Sequence, residues 1–82
     1  MKLKLYQRVA LAQDLPDHQL KQGDVAILID YVPHPERGED GYVLEVFNAL
    51  DESIAVVAVA ESAVEPVRAD EVLAIRSLVE TA

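Results

Sequence analysis

A chain of 82 residues, 51% apolar and 27% charged, is one small folded domain: a second core does not fit, and an acidic disordered segment would lack the apolar surface to offset its ordering entropy. Fifteen acids against seven bases leave a net charge of −8, and the seven bases form no cluster of the kind a nucleic-acid backbone requires, so nucleic acid is a poor partner. Cysteine is absent, so neither a disulfide nor a thiolate metal site is available.

The opening Met1-Lys2-Leu3-Lys4-Leu5 has no apolar run suited to a signal peptide or a span, so a cytoplasmic location without a membrane partner is expected. Residues 5–12 predict a first strand, with Leu5, Val9 and Leu11 on one face and Tyr6 and Arg8 on the other. Asp14-Leu15-Pro16-Asp17-His18-Gln19 reads as a turn-rich connection, closed by Lys21-Gln22-Gly23-Asp24, where glycine supplies a positive φ. Val25, Ile27, Ile29 and Tyr31 then alternate with Ala26, Leu28 and Asp30 in a second strand.

Pro33 to Gly41, with its prolines, glycines and charges, is a long polar loop. Tyr42–Phe47 predicts a third strand and Asn48–Ser53 a turn into a fourth, Ile54–Ala60. That fourth strand is apolar on both faces, so one face fills the core and the other needs a cover. Glu61-Ser62-Ala63-Val64 suggests one helical turn, and Glu65-Pro66-Val67 an edge strand that tolerates proline. Residues 69–82 read either as a short helix capped by Asp70, with Val72, Ile75 and Val79 on one face, or as a strand over Val72–Ile75, which is favoured.

The order predicts an all-β fold: one domain over residues 1–82, a small SH3-like barrel of about five mostly antiparallel strands with one short helical turn, and 69–82 as a C-terminal extension. Its expected core is Val9, Leu11, Val25, Ile27, Ile29, Leu44, Val46, Ile54 and Val56.

Charge is unevenly spread. Up to Pro35, Lys2, Lys4, Arg8 and Lys21 balance Asp14, Asp17, Asp24 and Asp30, so the whole net −8 falls after it. Such a surface suits a basic protein partner rather than nucleic acid. The expected partner-binding residues are the loop acids Glu36, Glu39, Asp40, Asp51 and Glu52, together with the strand face Ala55, Val57 and Val59. That face also suits self-association, since a domain this small buries only about 60% of its unfolded surface.

Other chemistry finds little support. His18 and His34 sit apart, and His34 with Glu36, Glu39 and Asp40 matches no cation-loop spacing, so no metal site and no cofactor are expected. Ser53, Ser62 and Ser77 lack a histidine neighbour or a nucleophile-elbow glycine pattern. Asp30 and Glu45, on adjacent strands, are the one candidate acid–base pair, but a barrel of this size offers little concave volume for a substrate, and no enzyme activity is expected. Tyr31 and Tyr42 flank the long loop and are expected to meet at its base, completing the core or, with Tyr6 and Phe47, forming an aromatic platform.

The segments Leu5-Tyr6-Gln7-Arg8-Val9-Ala10-Leu11, Asp14-Leu15-Pro16 and Leu20-Lys21-Gln22-Gly23-Asp24-Val25, with the later strand Tyr42–Phe47, resemble the small bacterial family catalogued as domain of unknown function 4926. The resemblance spans roughly residues 3–68, and the tail after it is similar to an extension in cyanobacterial-type members. It implies an SH3-like barrel and no catalytic residues. Its gene arrangement, similar to toxin and antitoxin pairs, implies an interaction module that is the neutralising, antitoxin-like member of a two-gene pair. A nucleic-acid- or ribosome-associated barrel is the alternative, which the charge disfavours. Ala26 and Ile27 stand where the family commonly has a glycine, and the Pro33–Gly41 loop is longer than usual.

Overall fold

β-branched runs separated by glycine, proline and Asx turns form five strands in a computed structural model that describes residues 3–33 and 38–78. They are β1 (Arg8–Leu11), β2 (Val25–Val32), β3 (Gly41–Phe47), β4 (Ser53–Ala60) and β5 (Val64–Pro66). Single 3-10 turns occupy Pro16–His18 and Glu61–Ala63. The sheet order is β4-β3-β2-β1-β5 with every neighbour antiparallel, an all-β, SH3-like arrangement in which the last strand returns beside the first after one short turn. Among the described residues, no helix is long and apolar enough to cross a membrane.

The first strand is shorter than residues 5–12. Leu5 and Tyr6 lie in a turn instead, with Tyr6 at φ 65°, Gln7 N–H donating to the Lys4 carbonyl at 3.2 Å and the Gln7 side chain accepting from Lys4 N–H at 2.9 Å. After β1 the chain makes a folded loop. Leu15 and Leu20 bridge across the Pro16–His18 turn, which buries Leu20, and Gly23 takes the expected positive φ of 91° while its N–H donates to the Leu11 carbonyl at 2.8 Å.

Val9, Leu11, Leu28 and Leu44 are the fully sealed side chains, and Leu3, Leu20, Ala26, Tyr42, Val46, Val57 and Val64 complete the core around them. Val9, Leu11, Leu44 and Val46 therefore fall inside as expected. Val25, Ile27 and Ile29 are only half-buried, and Ile54 and Val56 are exposed, so the expected core is corrected on β2 and β4.

Register explains both corrections, because residues opposite each other across a ladder share a face. Leu28 is opposite Leu44, whereas Ile27 is opposite Glu45. A register shift between Leu28 and Asp30 then inverts the alternation, so that Asp30 opposes Val43 and Tyr31 opposes buried Tyr42. Extrapolating the face backward from Asp30 and Tyr31 therefore gives the wrong parity for the first half of the strand. On β4 the pairs Tyr42–Val59, Leu44–Val57 and Val46–Ala55 turn Ala55, Val57 and Val59 inward.

The tail is neither helix nor strand through residue 78, which corrects the favoured strand, and Val79 lies outside the described residues. Asp70 caps no helix; it pairs with the Arg68 guanidinium at 3.0 Å, while the Arg68 N–H donates to the Glu71 carboxylate at 2.6 Å. That local turn uses the polar groups that a helix start would have needed.

Candidate functional site

One side of β4 has no strand beside it among the described residues. The strand ends the sheet order and pairs with β3 alone. Its eight residues, Ser-Ile-Ala-Val-Val-Ala-Val-Ala, carry no charge. Val57 is only 3% exposed, and Ala55 and Val59 pack against the core beside it. These three residues are thus not the open face expected of them, because their partners on β3 are the buried ones. The open face belongs to Ile54, 40% exposed, and Val56, 58% exposed.

The expected acidic residues are placed at the two ends of this strand. At its start, Asn48 organises the β3–β4 turn. Its side-chain oxygen accepts from the N–H groups of Leu50 and Glu52 at 2.9 and 3.0 Å, and its amide donates to the Glu52 carboxylate at 2.8 Å. This leaves Asp51, at φ 64°, and Glu52 exposed. At the far end, the Glu39 carboxylate accepts from Ser62 N–H at 2.6 Å and from its hydroxyl at 3.1 Å, and the Asp40 carbonyl accepts from Glu61 N–H at 3.0 Å. Glu36 and His34 lie outside the described residues. At about 3.3 Å per residue, the two acidic ends stand roughly 25 Å apart.

Asp30 and Glu45 do not form a pair. Glu45 is opposite Ile27 and accepts from the Ser53 hydroxyl at 2.6 Å, while the exposed Asp30 carboxylate accepts from Tyr31 N–H at 2.8 Å. The two-carboxylate geometry of acid–base chemistry is therefore not assembled there. Tyr31 and Tyr42 do meet, with ring centroids 5.9 Å apart and planes tilted by 58°. Tyr42 is buried and the Tyr31 hydroxyl donates to the Leu3 carbonyl, so the two rings close the core and tie down the N-terminal segment. Tyr6 is exposed on the turn before β1, and Phe47 borders the tail. Among the described residues no three His, Asp or Glu side chains are grouped as metal ligands.

An ion pair between residues far apart in sequence fastens the tail. Arg76 Nε donates to Asp24 at 2.8 Å, a second guanidinium nitrogen donates to the same carboxylate, and that nitrogen also reaches the Gln19 carbonyl at 3.1 Å. The Arg76 hydrogen bonds hold the Asp24 carboxyl below its ordinary range, against a smaller opposing effect of partial burial. Beneath the tail runs an open crevice of about 930 Å³, lined among others by Arg8, Ala10, Phe47, Ile54 and Leu73. Val72 and Ile75 also border it and remain open to solvent, each 91% exposed. No pattern in the sequence points to this clamp, since its partners are separated by 52 residues.

A family model described as a domain of unknown function (DUF4926) matches residues 5–66, from the turn before β1 to the last residue of β5. No curated protein and no solved structure matches the chain.

Proposed function

The chain belongs to the DUF4926 family, and on that premise, which brings no activity with it, we propose that it is an acidic protein-interaction module for a basic protein partner. The observation that carries this reading is the outer side of β4, an uncharged apolar strand with acids at both ends. Apolar area of this kind favours a protein surface, and the acids would raise the association rate of a positively charged one. A neutralising, antitoxin-like member of a two-gene pair in the cytoplasm is the form the module takes where the partner is encoded beside it.

Self-association has weaker support, because two β4 strands laid antiparallel would place Asp51 and Glu52 of one copy against Glu61 of the other at both ends. A nucleic-acid- or ribosome-associated role draws no support from the basic residues, two of which, Arg68 and Arg76, are already engaged by Asp70 and Asp24.

The test is capture of partners on the full chain at low ionic strength, followed by association kinetics on the purified pair. The on-rate is expected to fall as salt rises, with screening over about 8 Å at physiological ionic strength. It is also expected to fall when Glu39, Asp40, Asp51 and Glu52 are replaced by Gln or Asn. An acidic partner, or a rate indifferent to both changes, overturns the reading.

A further inference from the structure

Resting on that reading, we propose that β4 binds by strand addition: an extended segment of the partner, apolar and β-branched in its middle and bearing Lys or Arg at both ends, pairs with the outer edge of β4.

The two edges of the sheet differ in a way that singles out β4. β5 is three residues long and carries Glu65 and Pro66, features that discourage a further strand. β4 is eight residues long, with no proline, no lysine and no charge along its length. Alternate residues of an edge strand turn their N–H and C=O groups away from the sheet, and these are satisfied by water or by another strand. An unguarded edge of this length is a template for the second. The irregularity in its pairing lies at its first residues, where Phe47 is opposite Ser53 and Val46 opposite Ala55, so the stretch from Ala55 to Ala60 pairs with β3 in unbroken register.

Side chains define what the added strand carries. Its middle residues would lie beside Val56 and Ala58 on the open face, which favours Val, Ile or Thr there. Its ends would lie beside Asp51 and Glu52 at one end and beside Asp40 and Glu61 at the other, which favours Lys or Arg at both. A second copy of this chain fails the charge condition at each end. A strand of six to eight residues, roughly 20–25 Å, spans the distance.

The probe is a ten-residue peptide with two lysines at each end around six alternating valines and threonines, titrated into the full chain. Two backbone N-methylated forms, one for each alternating set of amides, and a form with glutamates at the ends accompany it. Strand addition predicts that the lysine-ended peptide binds and slows hydrogen exchange of β4 amides. It further predicts that one N-methylated form loses about tenfold or more in affinity while the other is less affected, and that the glutamate-ended form binds weakest. If both methylated forms bind as well as the parent, strand addition is overturned while the basic-partner reading stands. If lysine- and glutamate-ended peptides bind equally with the methylation effect intact, the charge condition fails, and the basic-partner reading fails with it. No binding, protection confined to another element, or sedimentation as a dimer with protected β4 amides overturns the proposal.

Discussion

Leu28 stands directly opposite Leu44 across the β2–β3 ladder, and both are sealed from solvent, while the adjacent Ile27 stands opposite the carboxylate-bearing Glu45. Leu28→Ala should therefore cost about 2–5 kcal/mol, and Ile27→Ala about 1 kcal/mol. Urea unfolding measures both. Where the alanine variant does not fold, Leu28→Val provides the comparison. A larger loss at Ile27 than at Leu28 would reverse the face assignment of β2.

The same logic separates two neighbouring valines on β4. Val57→Thr places a hydroxyl in the core and should cost about 1–3 kcal/mol, whereas Val56→Thr leaves it at the surface and should change stability by less than about 0.5 kcal/mol. Equal effects in thermal or urea unfolding would mean that β4 does not present Val57 inward.

Acid should release the tail. The carboxyl of Asp24 is held below its ordinary value of 3.8, chiefly by hydrogen bonds from Arg76. A carboxyl lowered on folding stabilises fully above its unfolded pKa, and the stabilisation is lost as pH falls through the lower folded value. Limited proteolysis between residues 67 and 78 should therefore stay constant from neutral pH down to about pH 5 and accelerate below about pH 4. Arg76→Ala should make the tail equally accessible at neutral pH while costing no more than about 1 kcal/mol of global stability, since the pair is partly exposed. Cleavage that is independent of pH in the parent chain would remove the clamp as the tether.

Gly23 is the position where backbone geometry alone sets the cost. Its φ is 91°, and no atom lies within 4 Å of where a Cβ would stand. Gly23→Ala should destabilise by about 1–2 kcal/mol through the positive dihedral, with no steric contribution. A neutral result in urea unfolding would show that the Lys21–Asp24 turn relaxes freely.

Much of the architecture is legible in the residues themselves. Gly23-Asp24 marks the turn before β2, prolines and glycines bound the loop before β3, and Pro66 marks a strand with one free edge, because these residues restrict φ or remove a donor wherever they stand. The loop acids Asp51 and Glu52 are equally legible as exposed, since a small core has no means of compensating their burial. Which face of a strand turns inward is a different kind of information. In Ile54–Ala60 every side chain is apolar, so periodicity carries no phase, and only the pairing with Tyr42, Leu44 and Val46 directs Ala55, Val57 and Val59 to the core. In β2 the irregularity between Leu28 and Asp30 inverts the alternation midway, which local sequence does not announce. The clamp from Arg76 to Asp24 joins residues that approach only after β1, β2 and the tail are in place. Residue type thus determined where the chain turns and what it exposes, whereas facing, edge and tether depended on which strands lie side by side, a relation that exists only in the folded sheet.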